Sequence, residues 1–195
     1  MRLNHLAFVP MLAGLLAVGL LAGNGHAAEL QSGPQPGESL GAFTVTKAAG
    51  APNDGVAVGQ KLCYRCRMGN RPMVMIFAHQ ADAALAALVR QLDDVVAKNE
   101  AKKMGSFVSL LGQEPKELAG TAEKFVESNK VEHVAFVVPA EHAAGPKSYK
   151  LNPEADVTVL IYRQGKVVVN YALPAGGLTD ETIQKIVADT SKILD

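Results

Sequence analysis

The feature that most constrains the fold is a continuous apolar run within residues 71–78, RPMVMIFA, which is followed directly by a helical pattern. An uninterrupted apolar run of this length is typical of a strand buried on both faces of a sheet. Over residues 82–99, apolar side chains recur at the three- and four-residue spacing of an amphipathic helix. They are Leu85, Leu88, Val89, Leu92, Val95 and Val96. The two patterns together predict a layered domain of strands and helices.

The alternation continues to the end of the chain. Further strands are predicted at residues 106–111, 134–138, 157–162 and 167–171. Pro115 is placed to begin one helix and Thr179 to cap another. Upstream, the segments 42–46 and 56–62 predict a hairpin around an Asn-Asp-Gly loop at 53–55. This order predicts an α/β fold with a mixed central sheet flanked by helices and an N-terminal β-hairpin extension.

The first 27 residues have the features of a signal peptide. Arg2 precedes an apolar stretch at 6–22, and Gly25-His26-Ala27 provides small residues for cleavage. An uncleaved anchor is the alternative, but Pro10 and several glycines favour a signal core. We therefore expect export to the periplasm or the extracellular space, with a turn-rich lead-in at 28–41 and one domain at 42–195.

The charge balance excludes several function classes. The chain has 19 basic and 19 acidic residues, and the loss of Arg2 with the signal peptide leaves a net charge of minus one. Such a chain has no overall field for nucleic acid, and we expect no stable membrane span after cleavage. The oligomeric state cannot be derived from these patterns.

The chain resembles the thioredoxin fold in its peroxiredoxin and secreted thiol-oxidoreductase form. The resemblance covers residues 32–195 and rests on the lead-in GPQPG at 33–37, the strand end IFA at 76–78, and the segment TVLIYRQGK at 158–166. In that superfamily a Cys-x-x-Cys follows the first core strand and opens the next helix. Here residues 77–84 read FAHQADAA, and Val157 stands where the family has its cis-proline. The resemblance thus implies the fold with its usual reaction centre vacant.

The two cysteines, Cys63 and Cys66, precede the core strand instead of following it. Since ligands in such sheets bind at the carboxyl ends of parallel strands, the pair is predicted at the opposite pole. In a strand these residues would be about 10 Å apart, which is beyond the roughly 7 Å limit for a disulfide. If the bond forms, residues 63–66 must turn.

The surroundings of the cysteines are strongly basic. Between Asp54 and Asp82 there is no acidic residue, whereas four cations lie around the sulfurs: Lys61, Arg65, Arg67 and Arg71. Nearby cations favour a thiolate over a thiol. One hypothesis is therefore thiol-disulfide exchange with a protein partner, in which Cys63 and Cys66 are catalytic, Arg65 and Arg67 support them, and Cys63 attacks by analogy with the usual order. The alternative is a redox-inactive binding or structural module with a static disulfide.

Other candidate residues are weaker. His79 follows the core strand, where Asp82 could orient it for acid-base chemistry. His79, His133 and His142 could complete a metal site with the cysteines, but their scatter gives no motif. We predict no metal and no cofactor.

Overall fold

The computed structural model describes residue 1 and residues 30–194, so the predicted signal peptide lies outside the described residues except for Met1. The strands are β1 (Val45–Gly50), β2 (Lys61–Leu62), β3 (Met73–Ala78), β4 (Gly105–Leu110), β5 (Val134–Pro139), β6 (Val157–Arg163) and β7 (Lys166–Leu173). The helices are α1 (Tyr64–Met68), α2 (Ala83–Lys98), α3 (Pro115–Asn129) and α4 (Asp180–Asp189). Short 3₁₀ turns occur at Glu100–Lys102, Lys147–Tyr149 and Thr190–Ile193.

The strands form one mixed sheet in the order β2-β1-β5-β4-β3-β6-β7. β3 pairs in parallel with β4 and antiparallel with β6, and all six of its residues are buried, as its apolar run predicts. β1 and β2 form the antiparallel hairpin at one edge. The prediction of an α/β fold with a mixed sheet and an N-terminal hairpin is therefore confirmed.

The two faces of the sheet are covered differently. The long helices α2, α3 and α4 contribute to the apolar cluster on one face, through residues such as Leu85, Phe125 and Ile186. The other face is covered by α1, the lead-in and the connector between β5 and β6, through Tyr64, Leu40 and Tyr149. The connector lacks an amphipathic repeat, so it covers this face without a long helix.

The hairpin strands differ from their predicted limits. β1 runs from Val45 to Gly50 where 42–46 was expected, and β2 is only Lys61–Leu62 where 56–62 was expected. Residues between them form a loop whose carbonyls at Ala51 and Val56 accept hydrogen bonds from the ammonium of Lys47. Because the Lys47 side chain donates hydrogen bonds to these carbonyls, the loop does not need a neighbouring strand to supply them.

The lead-in is ordered despite its glycines and prolines. Gly37 donates a backbone hydrogen bond to Val167, and Leu40 donates one to Gly165, each at 2.8 Å. The backbones of Ser39 and Lys166 form an isolated antiparallel β-bridge. These contacts attach the lead-in to the turn between β6 and β7.

Candidate functional site

The cysteine pair lies on α1, a short helix between the hairpin and β3. Cys63 is the N-cap residue, and its Sγ accepts a hydrogen bond of 3.1 Å from the backbone N–H of Cys66. The helical turn brings the two Cα atoms to 5.2 Å, and the sulfurs are bonded to each other. The expectation that residues 63–66 must turn is confirmed.

The two cysteines differ in solvent access. Cys66 is exposed, whereas Cys63 is half-buried at the start of the helix. A partner arriving from solvent therefore meets Cys66 first.

Tyr64, which lies between the cysteines, anchors α1 to the sheet. Its side chain is buried and its ring stacks on Phe107 with centroids 5.3 Å apart. Its hydroxyl donates a short hydrogen bond to the Asp54 carboxylate. Burial, together with this hydrogen bond, raises the pKa of Tyr64 well above the usual value for a phenol. Tyr64 is therefore a neutral hydrogen-bond donor that holds α1 against the sheet.

Asp54 in turn is paired with a buried lysine. The Lys47 side chain is 1% exposed, and its Nζ lies 2.8 Å from the Asp54 carboxylate. Its other two hydrogen bonds go to backbone carbonyls of the loop, each at 2.9 Å. All three ammonium protons thus have acceptors, as a buried charge requires. The Lys47-Asp54-Tyr64 network was not predicted from the sequence, although a lysine two residues after Val45, on the same face of a half-buried strand, is a signal for it.

The arginines around the disulfide contact carbonyls and other neutral groups. Arg67 donates to the carbonyls of Asp54 and Gly55, and Arg71 contacts the Met68 thioether at 3.6 Å. The half-buried guanidinium of Arg65 packs against Gly165. Across residues 30–194, none of the three arginines forms a salt bridge. Their positive charge is therefore not neutralised by a carboxylate within this part of the chain.

The disulfide lies toward the amino end of β3. The Asn70 carbonyl, just after α1, accepts a hydrogen bond from Gln164 in the β6-β7 turn. The same end of β3 begins with Met73, which is paired with Tyr162. The reaction centre expected for this type of sheet lies at the other end of β3, and the cysteines are absent from it.

At that other end, the structure does not form a replacement site from the predicted residues. His79 is exposed after β3, and Asp82 caps α2 by accepting a hydrogen bond from Leu85 N, so its carboxylate serves the helix and not the imidazole. No peptide bond is cis within the described residues, and Val157 begins β6 as a regular strand residue.

The other histidines are engaged separately. The His133 Nδ1 lies 3.1 Å from Asp93, and the His142 Nδ1 lies 2.8 Å from the Gly112 carbonyl. The structure brings neither of them to the cysteines. In the part of the chain that the structure describes, no three His, Cys, Asp or Glu side chains are grouped closely enough to hold a metal.

A cavity of about 390 Å³ lies beside α1. Tyr64, Met68 and Arg71 line it on one side, and Lys103 and Ser106 line it on another. Neither cysteine lines this cavity, which borders the buried side of α1.

Comparisons with known proteins support the fold. No protein-family model matches the chain, and no curated protein matches it. Among solved structures, a proposed protein disulfide isomerase from Bacteroides thetaiotaomicron is similar at a TM-score of 0.62 and 14% identity, over 85% of this chain and 94% of that one. A secreted disulfide oxidoreductase of Mycobacterium tuberculosis is similar at a TM-score of 0.52 and 16% identity, over 75% of this chain and 94% of that one.

An uncharacterised thioredoxin-like protein from Porphyromonas gingivalis is similar at a TM-score of 0.55 and 14% identity, over 83% of this chain and 94% of that one. The chain thus has the thioredoxin-like fold, as its sequence patterns predicted. Its only two cysteines, Cys63 and Cys66, are bonded to each other before β3, and no peptide bond is cis within the residues that the structure describes. Within residues 30–194, no helix combines the length and the apolar character needed to cross a bilayer.

Proposed function

We propose that this protein exchanges thiols and disulfides with a protein partner through Cys63 and Cys66. The observation that carries the proposal is an exposed disulfide on an anchored helix whose neighbouring arginines form no salt bridge within residues 30–194. Among the similar structures named above, one is described as a proposed protein disulfide isomerase and another as a disulfide oxidoreductase, which adds support from the fold.

The geometry favours Cys66 as the sulfur that meets the partner. A partner thiolate attacks the exposed Cys66 Sγ, the Cys63-Cys66 bond breaks, and Cys63 leaves as a thiolate that the backbone N–H of Cys66 can stabilise. A second partner thiolate then attacks the partner's own sulfur in the mixed disulfide and releases Cys66. The pair gains two electrons and the partner gains one disulfide. In the reverse direction Cys66 carries the mixed disulfide and Cys63 resolves it. This assignment reverses the order expected by analogy.

Arg65 and Arg67 would support the thiolates through their charge. Arg67 is held in place by two carbonyl hydrogen bonds, and Arg65 by its packing against the β6-β7 turn. Fixed cations beside a sulfur lower the cost of forming a thiolate leaving group.

A static disulfide in a redox-inactive module is the second candidate. The burial of Tyr64 and Met68 favours it, because a helix held this firmly is also a suitable structural element. Yet a ring of only four residues removes little chain entropy, on the order of 2 kcal/mol. Stabilisation of the fold alone is therefore a weak explanation for the Cys63-Cys66 disulfide.

Two measurements separate the candidates. In redox buffers the exchange function requires a reduction potential above about −300 mV, whereas a structural bond lies below it. In trapping experiments with a disulfide-containing protein mixture, we expect Cys63→Ser to accumulate mixed disulfides through Cys66 and Cys66→Ser to accumulate fewer. The reverse ratio would restore Cys63 as the attacking sulfur. A low potential together with no trapped species from either variant would remove the exchange function.

We also propose export, because residues 1–27 have a signal pattern and a disulfide persists in an oxidising compartment. The similar Mycobacterium protein is described as secreted. Fractionation of cells and sequencing of the mature N-terminus test this, with Ala28 expected as the first residue. A mature protein that retains residues 1–27 would contradict cleavage.

A further inference from the structure

We propose that the surface around Cys66 selects partners whose reactive cysteine is flanked by acidic residues. This inference rests on the proposed exchange function and names the class of partner that it would serve. It concerns the rate of encounter, which charged surfaces alter more strongly than final affinity.

The first part of this surface is on and beside α1. Arg67 and Arg71 are exposed, and Arg65 is half-buried. We call these three residues the cationic rim. Lys61 is not part of it, because it lies with Thr46 and Ala119 on the sheet face covered by α3. No rim residue forms a salt bridge across residues 30–194, so the rim keeps its positive charge beside the exposed Cys66.

The fold adds two cations that are distant in the sequence. The β6-β7 turn lies against α1, since Arg65 packs on Gly165 and Gln164 bonds to the carbonyl of Asn70. Arg163 and Lys166 flank that turn, and Lys166 is exposed. The backbone of this turn therefore lies beside α1, and its two flanking cations add to the positive charge at this end of the sheet.

Two acidic side chains near α1 and the β6-β7 turn, Asp54 and Glu38, are already engaged, whereas Glu100 and Glu132 line the cavity that Arg71 also lines. Asp54 is paired with Lys47 and accepts the hydroxyl proton of Tyr64. Glu38, in the lead-in beside the β6-β7 turn, accepts a hydrogen bond of 2.7 Å from the backbone of Gln35. The chain as a whole has no net charge, so the positive field here is local and not a property of the entire surface.

An acidic protein segment fits this surface better than an anionic membrane does. Peripheral helices bind membranes by inserting exposed apolar side chains as well as by charge. On α1 the large apolar side chains, Tyr64 and Met68, are buried. The reactive disulfide at the centre of the rim also requires a partner that carries sulfur.

The test uses the Cys63→Ser protein and three synthetic peptides that share one cysteine activated as a mixed disulfide with a chromophoric thiol. In these peptides aspartate, serine or lysine flanks the cysteine. Release of the chromophore gives the rate constant for attack by Cys66. At low ionic strength we expect the acidic peptide to react at least about tenfold faster than the basic one, and added salt should reduce the ratio.

A matched pair of variants locates the effect. Arg71→Gln, introduced in the Cys63→Ser background, should lower the acidic-to-basic rate ratio at least about twofold through loss of electrostatic steering. Lys98→Gln removes the same charge from the exposed surface of α2 and should leave the ratio unchanged.

The outcomes separate the two proposals. Equal rates for the three peptides would overturn the acidic-partner inference and leave the exchange function standing. No reaction with any peptide would count against the exchange function itself. Equal peptide rates, together with rim-dependent sedimentation of the oxidised protein on phosphatidylglycerol vesicles, would assign the rim to a lipid surface and overturn the inference.

Discussion

At the scale of single residues, Lys47 determines how the segment before the disulfide is built. Among the described residues it is the only charged side chain that is fully buried. Its ammonium connects β1 to the following loop and, through Asp54, to the hydroxyl of Tyr64. A buried ion pair contributes less to stability than its geometry suggests, but removal of one partner leaves the other charge uncompensated.

Replacement of Lys47 by Met should therefore destabilise the protein by about 3 kcal/mol. Chemical denaturation with the disulfide intact measures this, and Lys98→Met is the exposed control, expected within about 0.5 kcal/mol of the parent. Addition of Asp54→Asn to Lys47→Met should recover part of the loss, because the unpaired carboxylate is then removed. A loss for Lys47→Met no larger than that of the control would contradict a structural role for the network.

The residues of the candidate site could be predicted only in part. The need for a turn at 63–66 follows from strand geometry, and the basic surroundings are visible in the sequence. The engagement of Asp54 by Lys47 is different, because it depends on the path of a loop that no local propensity determines. The packing of Arg65 against Gly165 joins positions one hundred residues apart, so it follows from the sheet order and not from any local pattern.

At the scale of elements, α2 and the strands β3 to β7 were predicted within two residues, and the hairpin was not. Helix α2 begins after its Asp82 cap and α4 after its Thr179 cap, since each cap is a local interaction. The limits of β1 depend on distant partners. Gly50 ends this strand with φ +72°, where a Cβ would meet the carbonyl oxygen of Val134 in β5.

Two glycines should consequently respond in opposite directions to the same substitution. Gly50→Ala should cost about 2 kcal/mol or more, from backbone strain and the collision with β5. Gly120→Ala, within α3 and with open space around its Cβ, should stabilise by about 0.5–1 kcal/mol through lower backbone entropy in the unfolded chain. Thermal or denaturant unfolding of both variants checks the prediction. A tolerated alanine at position 50 would mean that β1 can move away from β5.

At the scale of the whole molecule, the order of the strand and helix patterns in the sequence determined the fold class. Few topologies can accommodate a buried strand, two helix-strand repeats and a terminal hairpin followed by a helix. The residues covering the second face could not be foreseen in the same way. Neither the lead-in nor the β5-β6 connector has a periodic pattern. Hydrogen bonds to the β6-β7 turn hold the lead-in. The connector is held by Tyr149, whose ring lies in the core and whose hydroxyl donates to the Gly41 carbonyl.

The tyrosines give the whole molecule a characteristic alkaline response. All four tyrosines have a pKa above the usual value of about 10, and burial is the main cause in each case. They are Tyr64, Tyr149, Tyr162 and Tyr171. The native state thus holds these protons more tightly than the unfolded state. The resulting stability is present in full below about pH 10 and is lost as the pH rises toward the native values.

Tyrosinate absorbance should therefore appear only as the protein unfolds, whereas in denaturant it should appear near pH 10. Absorbance and far-ultraviolet circular dichroism recorded on the same samples test this coupling. Complete tyrosine ionisation at about pH 11 with unchanged secondary structure would contradict it.

The position of β3 also affects the order in which the protein can be completed during synthesis. One edge of this strand is paired with β4, which follows shortly afterwards, and the other is paired with β6, which ends at Arg163. A ribosome must therefore translate most of the message before the most apolar strand loses its second open edge. Until then the nascent chain exposes the unpaired backbone groups of β3, which can pair with strands of other chains. A chaperone would be of most use during this interval.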